Sequence, residues 1–69
     1  MRTKFEIQAE YIELSKLLKA TGLCATGGTA KILIAEGRVT VDGQVELRRQ
    51  CKIRKGQVVA LEGHTIEVN

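Results

Sequence analysis

The chain has 69 residues, 43% of them hydrophobic, with one Tyr, one Phe, no Trp and no Pro. That supports one small domain with an aliphatic core, leaves little room for a deep catalytic cleft, and argues against disorder. The net charge is +3, and the excess is uneven: residues 1–13 hold Arg2 and Lys4 against Glu6, Glu10 and Glu13, whereas residues 14–61 hold nine bases against Glu36, Asp42 and Glu46.

Residues 2–8 alternate, with Phe5 and Ile7 on one side and Lys4 and Glu6 on the other, which predicts a strand. Residues 11–22 predict a helix whose start falls as late as Glu13 or Leu14. Leu14, Leu17 and Leu18 form its buried stripe, Lys16 and Lys19 share its solvent face, and Gly22 suits a left-handed cap. After a short connection, Thr26 is the expected N-cap of a second helix with Gly27 and Gly28 in its first turn. Ala30, Leu33 and Ile34 form the buried stripe and Gly37 ends it. Val39 and Val41 then alternate as a strand, Asp42-Gly43 signals a two-residue hairpin, and Val45 and Leu47 are expected to continue on the core side. Lys55-Gly56 marks a turn, Val58, Val59 and Leu61 a further strand, Glu62-Gly63 a turn, and Ile66 and Val68 a last strand.

Residues 48–55, Arg48-Arg49-Gln50-Cys51-Lys52-Ile53-Arg54-Lys55, hold five bases and no acid. In extended chain, Arg48, Gln50, Lys52 and Arg54 would share an outer face, and Cys51 and Ile53 an inner one continuing from Leu47, with Arg49 out of phase. At roughly 3.3 Å per residue such a strand would span about 20 Å, enough to track several phosphates. The same charges would also protect a sheet edge from aggregation, and the two readings are compatible.

At the second helix start, Thr26-Gly27-Gly28-Thr29 leaves backbone N–H groups uncovered where the helix dipole favours an anion, and Lys31 is within reach of the same ligand. Relief of crowding between the two helices would explain the glycines equally. Gly22 to Thr29 nearly matches the phosphate-binding pattern G-x-x-x-x-G-K-[ST], but Gly28 stands where its lysine belongs and a helix precedes it instead of a strand, so nucleotide hydrolysis is rejected.

Cys24, Cys51 and His64 lack the close spacing of zinc sites; the cysteines are expected as free thiols and His64 at the surface. No carboxylate pair points to acid–base chemistry, and no cofactor is implied. The longest apolar run, Ile32-Leu33-Ile34-Ala35, is too short for a membrane span, and the N-terminus lacks an apolar leader, so a cytoplasmic protein is expected. Phe5 and Tyr11 lie in the acidic N-terminal part. With no aromatic platform inside the cationic stretch, the expectation shifts from single strands toward structured or double-stranded RNA.

Residues 12–59 resemble the RNA-binding domain first named for ribosomal protein S-four. The resemblance is carried by Leu17-Leu18, the loop at residues 22–26, the second helix ending at Gly37, then Val39-Thr40-Val41-Asp42-Gly43 and Lys55-Gly56-Gln57-Val58. Gly27-Gly28-Thr29-Ala30-Lys31 and Arg48-Arg49 are similar to the stand-alone bacterial YbcJ-type branch. Two positions depart from the family: Thr26-Gly27 replaces the frequent Ser-Arg, and Gln57 replaces an acid.

The resemblance implies an α+β fold of the αL type, two short packed helices against a small, mostly antiparallel sheet. It also implies binding without catalysis, in which Lys16, Lys19, Thr26, Gly27, Gly28, Thr29, Lys31, Arg48, Arg49, Lys52 and Arg54 face RNA, and Lys55 joins them as the last base of the cationic run. The expected partner is structured RNA, ribosomal or tRNA-like, bound by a monomer that takes no small-molecule substrate. A DNA-binding helix-turn-helix and a protein-interaction module are the alternatives, the former weakened by glycines where base-reading side chains belong.

Overall fold

A computed structural model describes residues 2–69. Strand β1 is Arg2–Phe5, followed by β2 (Ile12–Glu13), helix α1 (Leu14–Ala20), helix α2 (Gly27–Ala35), β3 (Val39–Val41), β4 (Gln44–Val45), β5 (Lys52–Ile53), β6 (Val58–Leu61) and β7 (His64–Val68). Five strands form a mixed sheet in the order β1-β7-β6-β3-β4, and β2 pairs with β5 in a separate two-stranded sheet. The pairings are antiparallel except β1 with β7, which brings the first and last strands side by side in parallel. This is the expected α+β arrangement of two packed helices against a small, mostly antiparallel sheet. No helix among the described residues is long and apolar enough to cross a membrane.

The core is aliphatic. Leu14, Leu17 and Leu18 of α1 and Ala30 and Ile34 of α2 are buried against Val39, Ile53, Val59, Leu61, Ile66 and Val68; Leu33 packs at the margin. The α1 stripe is thus where the leucine spacing puts it, but the helix is shorter than residues 11–22. Ile12 and Glu13 are extended because they pair with Ile53 and Lys52. The Asp42-Gly43 hairpin forms with both residues at positive φ, 52° and 84°, the combination a two-residue turn between twisted strands requires.

The strand expected over residues 2–8 ends at Phe5, and three further expectations fail. Val45 and Leu47 do not reach the core: they are 58% and 61% exposed. β4 is a two-residue edge strand, and the chain leaves the sheet after Glu46 donates its N–H to the Val39 carbonyl at 3.0 Å. Residues 48–55 are not one extended strand either. Cys51 donates its N–H back to the Arg48 carbonyl at 3.1 Å, closing a turn, and only Lys52–Ile53 is strand. The turn resets the alternation, so Ile53 is inward while Leu47 is not. Finally, His64 is half-buried, because the β6–β7 hairpin sets it opposite Leu61, and its Nδ1 lacks a hydrogen-bond partner among the described residues.

Ile53→Ala should therefore destabilise the protein by about 2–5 kcal/mol, whereas Leu47→Ser should stay within about 0.5 kcal/mol of the parent. Chemical denaturation of the two variants checks both values.

Candidate nucleic-acid interface

The basic turn is fixed at three points. Helix α1 has no side-chain cap at Glu13, so its first free N–H groups need other acceptors. They find them in the turn: Leu14 donates its N–H to the Cys51 carbonyl at 2.9 Å and Ser15 to the Arg49 carbonyl at 3.0 Å. Upstream, Arg48 donates from Nε and Nη2 to the Glu46 carboxylate at 3.0 and 3.2 Å, and its backbone N–H donates to the same group at 3.0 Å. Downstream, the Arg54 N–H donates to Gln57 Oε1 at 2.7 Å, and Gln57 Nε2 donates to Asp42 at 3.2 Å. Asp42 also accepts the Val58 N–H at 2.9 Å. Gln57, where the family resemblance leads one to expect an acid, ties the end of the basic turn to the hairpin.

The hydrogen bonds from the Arg48 guanidinium, together with the one from its backbone N–H and the guanidinium charge, hold the Glu46 carboxyl down at about 2. That pairing leaves the Nη1 edge of Arg48 available. Lys16, in the first turn of α1, pairs with Glu13 at 3.1 Å, and Glu13 lies opposite Lys52 across β2–β5. Elsewhere Arg2 pairs with Glu67, and Arg38 with Glu36 and Glu62. Among the described residues, Arg49, Lys52, Arg54 and Lys55 make no ion pair, nor do Lys4, Lys19 and Lys31. The unpaired cations are thus concentrated in the turn.

Sequence reasoning missed Tyr11. It was separated from the basic stretch along the chain, but β2–β5 pairing brings it there: Lys52 Nζ lies 4.9 Å and Arg54 Cζ 5.8 Å from its ring centroid. The cationic region therefore does possess an aromatic ring, which corrects the expectation that it lacks one. The signal that would have found it is the register Ile12↔Ile53, which sets Tyr11 beyond the pair on the side of Arg54.

At the second helix, Thr26 caps as expected, accepting the Thr29 N–H at 3.1 Å. A Cβ on Gly27 would meet nothing within 4 Å, and one on Gly28 only the Thr26 hydroxyl at 3.7 Å. Crowding between the helices therefore does not account for the glycines. Lys19 and Lys31 are exposed on α1 and α2. Among the described residues, no hydrogen bond, ion pair or ring contact links residues 26–31 to the basic turn, so the predicted residues fall into two groups joined only by the packing of α1 on α2.

Both cysteines are free thiols, as expected. Cys24 is buried and Cys51 half-buried, and desolvation pushes both thiols up. No cluster of three or more His, Cys, Asp or Glu suited to a metal ion occurs among the described residues.

Comparison with known proteins gives a consistent result. Residues 5–69 match the family model described as "S4 domain". The chain is 52% identical over 58 residues to "Putative RNA-binding protein YbcJ" of Escherichia coli K12, covering 84% of this chain and 83% of the relative. It is 35% identical over 63 residues to "Probable ribosome maturation protein RlbA" of Bacillus subtilis, covering 91% and 89%. The solution structure of Escherichia coli YbcJ, described as having an ALFAL motif involved in RNA-binding, superposes with a TM-score of 0.75 at 46% identity, covering 96% of this chain and 85% of that one.

The Glu46–Arg48 pair generates a pH prediction. Folding lowers the Glu46 value from 4.5 to about 2, so the pair's contribution is fully present above the ordinary glutamate range and is lost as pH falls toward 2. Carboxyl carbon NMR should show Glu46 titrating near that lower value, and Arg48→Ala should move it back toward the ordinary range.

Proposed function

This chain belongs to the S4 domain family, and we propose that it binds structured RNA through the basic turn, without a catalytic step. The observation that carries this reading is the distribution of unpaired cations. Arg2 and Arg38, away from the turn, are neutralised by acids, while Arg49, Lys52, Arg54 and Lys55 project from a backbone held on both sides. A pre-set row of cations loses little conformational entropy when it meets a row of phosphates. The names of the Escherichia coli and Bacillus subtilis relatives support RNA as the ligand and favour ribosomal RNA, or an RNA of ribosome maturation, as its source.

The interface in this reading comprises Lys16, Lys19, Lys31, Arg48, Arg49, Lys52, Arg54 and Lys55, with Thr26, Gly27, Gly28 and Thr29 as a second phosphate contact through the N–H groups at Gly27 and Gly28, the Thr29 N–H being taken by the Thr26 cap. Arg48 contributes less net charge than Arg49 because Glu46 offsets it. The protein acts as a monomer in the cytoplasm.

Fluorescence anisotropy with a folded RNA hairpin over a range of salt tests the proposal. Arg49→Ala should weaken binding and reduce the slope of log K against log salt by about 0.7–0.9. Gly27→Ala/Gly28→Ala should weaken binding while slightly raising thermal stability, since alanine favours helix over glycine. Unchanged affinity and slope in the Arg49 variant, or tighter binding to duplex DNA at matched salt, would overturn the assignment.

A further inference from the structure

Tyr11 is not a core residue. It is 39% exposed, and its ring lies beneath two cations of the basic turn, Lys52 at 4.9 Å and Arg54 at 5.8 Å. It precedes β2, whose Ile12 points inward opposite buried Ile53, so Tyr11 and Glu13 alternate onto the outer face with Lys52 and Arg54. The result is an exposed aromatic ring flanked by basic side chains at the edge of the basic turn.

We propose that Tyr11 is a stacking platform for an unpaired nucleobase, with Lys52 and Arg54 taking the phosphates on either side of it. This deepens the RNA reading and rests on it: the preferred ligand becomes a folded RNA with a single-stranded nucleotide beside the stem. Every base has a π-face, so the contact tolerates any sequence. An exposed cation–π contact is weak, and an ammonium or guanidinium exchanges it readily for a charge-assisted bond to phosphate. In the free protein the two cations cover the ring, and in the complex they move to the backbone while a base replaces them. Glu13, beside Lys52 and paired with Lys16, disfavours a phosphate directly over β2 and leaves the ring side as the path for the strand.

The chain has one Tyr and no Trp, so its intrinsic fluorescence reports on Tyr11 alone. The probes are an RNA stem carrying an unpaired adenine overhang and the same stem blunt-ended, compared at equal absorbance. The parent should bind the overhang RNA about tenfold tighter, the fold-change expected for one stacked base, and its tyrosine emission should be quenched by that RNA only. Tyr11→Phe should keep the preference and Tyr11→Leu should abolish it, the preference being read as the ratio of overhang to blunt-stem affinity within each variant. Equal quenching by the two RNAs, or a preference retained in Tyr11→Leu, overturns the role of Tyr11 while RNA binding stands. Failure of the parent to bind either RNA overturns both. The quenching measurement uses the parent alone and so does not depend on how a variant folds.

Discussion

Helix α1 begins without a side-chain cap, and the acceptors for its first N–H groups are the carbonyls of Arg49 and Cys51. The rest of the surface depends on this arrangement. A helix start buried in a small protein cannot leave its donors unpaired, so the chain after β4 must return to the start of α1. With its carbonyls committed to the helix and Ile53 committed to the core, the turn presents its basic side chains to solvent. The same bonds bring β5 beside β2 and so carry Tyr11 to the cations. One requirement of backbone hydrogen bonding thus locates the fold's shortest sheet, its basic turn and its exposed aromatic ring together.

Concentrating like charges in a tight turn is unfavourable, and the structure offsets this locally. Glu46 accepts from Arg48 at the start of the turn, Gln57 holds the Arg54 backbone at its end, and the Tyr11 ring lies against Lys52 and Arg54 in between. Each device steadies the backbone or the charge while leaving cations open to solvent. Glu46 is a carboxylate beside the basic turn, which makes Arg48 the most compensated base there, whereas Arg49 and Lys55 make neither an ion pair nor a ring contact among the described residues.

Features set by short-range chemistry were legible in the sequence: the Leu14, Leu17 and Leu18 stripe, the Thr26 cap, the Asp42-Gly43 turn and the inward Ile53. The order of elements followed from the same local signals, and the resemblance to a known RNA-binding family supplied the packing of helices on sheet and the residues expected to face RNA. What could not be read was set by contacts distant in sequence. The turn at residues 48–51 contains neither Gly nor Pro, and it forms because α1 needs its carbonyls, so periodicity carried an imaginary strand through it and put Leu47 inside. Tyr11 looked remote because the pairing of Ile12 with Ile53 joins segments some forty residues apart. The parallel pairing of β1 with β7 has no local signature for the same reason.

The most direct test of the central claim, that the turn docked on α1 is the RNA-facing surface, is an amide NMR titration of the intact protein with a folded RNA hairpin. The expected result is that shifts concentrate at residues 48–55 and Tyr11, with a second group at residues 26–31, while β1 and β7 stay unmoved. Shifts centred on Arg2, Lys4 and the β1–β7 edge, with the basic turn unaffected, would contradict it.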